Sequence, residues 1–200
     1  MTITLKPTAS ETVIEQNGSD ICTIDSTGLA MASGMTITGA GVGKILQVVQ
    51  MVKTDTSSAT SASTNTFVDL PGMSVAITPS SSSSKILVSF TVSLGFVVGT
   101  FHINLVRGST NIAVGDADGS RVPSTISTRP AGTPYTHDSS PRSYTFLDSP
   151  NTTSATTYKL QGTLGSTYSG TMYVNRSAAD TNASYGVRVT STMTAMEVAG

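Results

Sequence analysis

The sequence predicts an all-β protein: a short intertwined N-terminal β stalk followed by an antiparallel, jelly-roll-like β-sandwich head. Three observations carry that reading. Apolar residues alternate with Ser and Thr at a period of two, Gly, Pro, Asn and Ser turns punctuate the chain at short intervals, and helical periodicity is nearly absent. Many short strands between such turns read as a sandwich or barrel.

The first 43 residues hold only short strand candidates, at 12–15, 21–24, 29–31 and 35–38. Turns follow at Asn17-Gly18, Ser26-Thr27-Gly28 and Ser33-Gly34. A unit of this size is below what usually folds alone. Three copies wound together would bury Val13, Ile21, Ile24, Leu29, Met31 and Ile37 along a common axis; the other reading is an arm draped over the main domain. Residues 39–43, Gly-Ala-Gly-Val-Gly, form a flexible joint. The chain therefore divides into an N-terminal stalk segment, 1–43, and a head, 44–200.

In the head, 45–52 is the first strand candidate. Met73, Val75 and Ile77 alternate before Pro79, and the serine run 80–84 turns the chain into the next strand. There Ile86, Val88, Phe90, Val92 and Leu94 share one face, with Ser and Thr mostly on the other. Phe101, Ile103 and Leu105 repeat the alternation, which puts His102 on a more polar face, and 107–111 supplies a turn. Further candidates are 111–114, 143–147, 157–161, 171–174, 184–190 and 192–198. Residues 116–142, with Pro123, Pro130, Pro134 and Pro141, read as one long irregular loop.

Composition narrows the function. Two hundred residues make one ordinary domain, or one plus a short extension. A net charge of -1 offers no bulk attraction for nucleic acid or an anionic membrane. Charged residues are 12% of the chain, against about 25% in ordinary domains, and Ser and Thr fill about a third of it. At 38% hydrophobic the chain is too apolar for intrinsic disorder. The longest apolar passage, 90–98, is broken by Thr91, Ser93 and Gly95, so no membrane insertion is expected, and the N-terminus shows no signal-peptide core. Synthesis in a cytoplasm is the expectation. Cys22 alone makes no intrachain disulfide, and one Cys with two His makes a poor zinc site.

Catalytic templates fail. No Gly-x-Ser-x-Gly elbow, Walker loop or His-Glu-x-x-His helix is present. Ser82-Ser83-Ser84-Lys85 matches Ser-x-x-Lys only inside a homopolymeric turn. Asp116-Ala117-Asp118-Gly119 starts like a calcium loop but lacks the further acidic ligands. With 12 acids, three of them Glu, a carboxylate pair is poorly supplied. No catalytic residue, metal or cofactor is expected.

Arg107, Arg121, Arg176 and Arg188 each stand at a strand end or turn. In so charge-poor a chain they are read as structural, paired with Asp116, Asp118, Asp148 or Asp180 to fix loops, the plain alternative being solvated surface. The 116–142 loop carries Arg129, Tyr135, His137 and Arg142, candidate receptor or partner contacts by stacking and hydrogen bonding. The other reading of that loop is a proline-stiffened packing crossover.

Several blocks carry a resemblance: Gly43-Lys44-Ile45-Leu46-Gln47-Val48-Val49-Gln50, Val75-Ala76-Ile77-Thr78-Pro79-Ser80, Leu105-Val106-Arg107-Gly108-Ser109-Thr110, Phe146-Leu147-Asp148-Ser149-Pro150 and the ending 191–198. Together they resemble a module of tailed-bacteriophage fibre and virion-surface proteins and span most of 43–200. The resemblance implies a homotrimer with a β-sandwich head and a variable loop region, on the virion surface. Residues 1–43 would then dock to other virion proteins, and the head would meet a host-surface glycan or protein. Two roles follow: a short trimeric fibre contacting the host, or a capsid decoration or cement protein or head fibre.

Overall fold

The computed structural model describes residues 3–7, 11–16, 19–25, 28–31, 44–62, 65–97, 99–129, 137–165 and 170–200. Fifteen strands and no helix occur among the described residues, and the strand pairings are antiparallel. The fold is all-β. The chain forms two compact units, Met1–Gly41 and Val42–Gly200.

The first unit is a four-stranded meander of β1 (Ile3–Pro7), β2 (Glu11–Gln16), β3 (Ser19–Asp25) and β4 (Gly28–Met31). Register sets Leu5, Ile14, Cys22 and Met31 opposite one another in a single row, and Cys22 is buried. Two differences from the sequence reading stand out. Residues 3–7 form a strand, and the four strands pair with each other within one chain. The strand expected at 35–38 and the joint at 39–43 lie outside the described residues.

The second unit runs β5 (Ile45–Lys53), β6 (Ser57–Ser61), β7 (Val68–Ile77), β8 (Lys85–Gly95), β9 (Thr100–Arg107), β10 (Thr110–Ile112), β11 (Ile126–Thr128), β12 (Ser140–Asp148), β13 (Thr156–Gly165), β14 (Gly170–Val174) and β15 (Ser191–Val198). Sheet I takes β5, β15, β8, β14 and β6 in that order, with β12 on β8. Sheet II takes β10, β9, β13 and β7, with β11 also on β9. The inward faces of both sheets make one core. On β8 the inward set Ile86, Val88, Phe90, Val92 and Leu94 is buried to 2% exposure or less, facing Ile103, Leu105, Leu160 and Tyr158 of sheet II. Each such side chain contributes roughly 1.5–3 kcal/mol on leaving water.

β7 is an edge strand, which is why it tolerates Pro71 inside it. Gly72 follows with φ of +81°, and the Lys53 side chain lies directly over it. At the end of β8, Gly95 packs so closely on the Arg176 carbonyl that a methyl group there would collide with it.

Three sequence expectations are corrected. The 116–142 segment is not one continuous loop, because β11 pairs with β9 inside it and β12 begins at Ser140. Residues 184–190 form no strand: tight turns around Ala183 and Gly186 leave one bridge, between Arg176 and Arg188. His102 is buried, because Ser124 and Thr125 run over the outer side of β9 and remove the solvent that alternation assumed.

Candidate functional site

Three nodes of buried polar groups tie the head together. The first joins the sheets. Arg107, at the end of β9, reaches Asp148, at the end of β12, with Nη1 at 2.8 Å from each carboxylate oxygen. The Tyr158 hydroxyl, on β13 opposite Arg107, donates to Asp148 Oδ2 at 2.7 Å. Asp148 and Tyr158 are buried, and burial followed by the neighbouring carboxylate pushes the phenol far above its ordinary range. One carboxylate thus holds two strands of sheet II to sheet I.

The second node is Glu197, fully buried near the end of β15. Its Oε1 accepts from Ser80 N (2.7 Å) and Ser80 Oγ (2.6 Å), and its Oε2 accepts from Gln47 Nε2 (2.6 Å). Burial pushes the carboxyl up, but these hydrogen bonds outweigh it and hold the pKa at about 2. The carboxylate pins the serine turn before β8 to β5 and β15. The third node is Asn175, buried with φ of +64°. Its Nδ2 donates to the Lys53 and Asp55 carbonyls (2.8 and 2.9 Å), and its Oδ1 accepts from Ser191 Oγ (2.6 Å). Sequence reading missed both residues. For Glu197 the signal was available, since Met193, Ala195 and Glu197 share the inward register of one strand.

Of the remaining structural candidates, Arg121 and Arg188 are exposed and Arg176 is half-buried. Arg121 pairs with Asp118 across a turn (2.6 Å). Arg176 and Arg188 share Asp180, and the Arg176 guanidinium stacks 3.9 Å from the centre of the Tyr173 ring. Asp116 belongs to none of these ion pairs.

The candidate contact residues separate. Arg129 is exposed after β11, and Tyr135 lies outside the described residues. Arg142 sits on β12, half-buried, and donates to Thr128 Oγ1 (3.1 Å) and the Pro141 carbonyl (2.8 Å). His137 is exposed and meets Tyr185 edge to face, with ring centres 5.2 Å apart. Tyr185, 62% exposed in the turn before Arg188, was not singled out from sequence. An open cleft of about 630 Å³ lies elsewhere, with His102, Ser127, Asn65 and Arg121 on its walls. Burial lowers the His102 pKa and so favours the neutral ring. Among the described residues no three His, Cys, Asp or Glu side chains gather in metal-binding geometry.

No family model matches the chain, and no curated protein matches it. Solved structures that it resembles include the VP2 subviral particle of infectious bursal disease virus, at 13% identity and a TM-score of 0.35 over 94% of this chain and 47% of that one. T=1 particles derived from the same virus give 13% identity and a TM-score of 0.37, over 94% and 46%. The chain spans about half the length of those proteins. Likeness at this level is too loose to assign a role.

Proposed function

We propose that the chain is a non-enzymatic bacteriophage virion structural protein, a short homotrimeric fibre on the virion surface. Residues 1–43 attach it to the particle, and residues 44–200 form a head that contacts the host surface. The observation that carries this reading is how the head uses its buried polar groups. Asp148, Tyr158, Asn175 and Glu197 all bond to strands and turns of the protein itself. Groups engaged in this way stiffen a scaffold and leave little for chemistry on a substrate. The residue blocks that resemble phage fibre and virion-surface modules point the same way.

Host contact falls to exposed loop residues on that rigid scaffold, and the His137–Tyr185 pair with Arg129 nearby in sequence is the best supplied for stacking and hydrogen bonding. A capsid decoration or cement protein is the second reading, favoured by the three uncharged rows that cross the outer face of sheet I from Val48, Gln50 and Val52 to β12, which suit lateral packing. Quantitative mass spectrometry of purified particles, with antibody labelling of the head, tests both. A few trimers at the tail support the fibre, many copies over the capsid support decoration, and absence from particles overturns both. For host contact, the His137→Ala/Tyr185→Ala variant should lose adsorption with its melting temperature unchanged; retained adsorption removes the pair from that role.

A further inference from the structure

We propose that the outer face of sheet I is where the head packs against a second copy of this chain; the inference rests on the oligomeric reading above and names its contact surface. Register sets Val48, Met196, Leu87 and Leu147 side by side in one row across β5, β15, β8 and β12. Val48 is 56% exposed and Leu147 44%, and Val52, two positions along the same face of β5 from Gln50, is 55% exposed. Solvent meets a continuous apolar strip there.

The rows beside it carry polar side chains that, Thr192 apart, already bond one another. Gln50 Nε2 donates to Thr194 Oγ1 (3.0 Å), Thr145 Oγ1 donates to Ser89 Oγ (3.1 Å), and Thr91 and Ser143 share a hydrogen bond (2.8 Å). Burying a hydroxyl is costly when its hydrogen bond to water is not replaced. For these six side chains the replacement exists before anything docks. No charged residue stands in the three rows that run from Val48, Gln50 and Val52 across to β12. A charged partner surface would have to be stripped of water with no opposite charge to meet it. An uncharged surface fits, and the same three rows of a second copy are one.

The edge of the sheet points to the same occupant. β5 pairs only with β15 among the described residues, so its other edge presents free backbone donors and acceptors. Edges left in water are normally blunted by charge or proline. The β5 sequence ILQVVQMVK has neither before Lys53, which is buried and paired with Asp55. A bare edge continuous with an apolar row is complete only when protein covers it.

Thiol labelling of the full-length chain tests the assignment, alongside its mass by light scattering. The Cys22→Ser/Val48→Cys variant is compared with Cys22→Ser/Val114→Cys, whose site is exposed after β10. A water-soluble maleimide should label position 48 roughly ten-fold more slowly than position 114 in a protein of multiple-chain mass. Adding Leu147→Glu to the position-48 variant should restore fast labelling. Fast labelling of position 48 in an oligomer overturns the face and leaves the oligomeric reading intact. Fast labelling at single-chain mass overturns both. Slow labelling at single-chain mass, or slow labelling that Leu147→Glu does not relieve, means that the chain's own N-terminal unit or another surface covers the strip, and the proposal fails.

Discussion

The two sheets of the head share one core and differ in what they turn outward. Sheet II presents charge: Lys159 donates to Asp69 (2.9 Å), Gln161 donates to the same carboxylate (2.8 Å), and both hold that carboxyl below its ordinary pKa. Part of that face is covered by its own chain, where Ser124 and Thr125 lie along β9. Sheet I presents an apolar row flanked by Ser, Thr and Gln that bond one another. Charge that stays hydrated suits a face meant for water, whereas uncharged rows whose polar side chains mostly bond one another suit contact with protein. The difference shows that a sandwich can be stable on both sides and still be directional.

The largest expected effect tests whether the two sheets behave as one body. Asp148→Ala removes the acceptor of both Arg107 and Tyr158 and should lower unfolding stability by about 3 kcal/mol in denaturant titration. A loss below about 1 kcal/mol, the range of exposed pairs, would mean that the apolar core alone holds the sheets together.

Within sheet I, order depends on a neutral node. Asn175→Ala removes two bonds to the Lys53 and Asp55 carbonyls and one from Ser191, and leaves a positive φ without a residue suited to it. A loss of about 2–3 kcal/mol is expected. Thermal melting that matches the parent protein would show that β5 and β15 hold their register without it.

Glu197 makes the same sheet sensitive to acid. Its folded pKa of about 2 lies below the ordinary 4.5, so it contributes stability in full above pH 4.5 and loses it as pH falls toward 2. Glu197→Gln should lower stability at neutral pH and flatten the slope of stability against pH in that window. An unchanged acid slope would assign it to other carboxylates, Asp69 first among them.

The smallest effect belongs to sheet II. Lys159→Ala breaks an exposed pair and should cost about 0.5 kcal/mol at low salt and less at high salt, read from paired denaturation curves. A loss comparable with that of Asp148→Ala would erase the contrast between a hydrated pair and a buried clamp.

Alternation by itself determined the class of fold and the core face of its longest strands. In β8, for example, Ile86 to Leu94 at every second position face inward, because between them Ser89 and Thr91 stay partly exposed at little cost. It also placed arginines and aspartates at strand ends. Which arginine meets which aspartate was decided by tertiary structure, since Arg107 and Asp148 lie 41 positions apart and meet only when β9 and β12 stack from opposite sheets. The same holds for His102, whose side of β9 looked wet until a distant crossover covered it, and for the row from Val48 to Leu147, assembled from four strands spread along the chain. A period of two is a local property and fixes which residues share a side. What lies against that side depends on strand order and sheet stacking, which are set by the whole core at once.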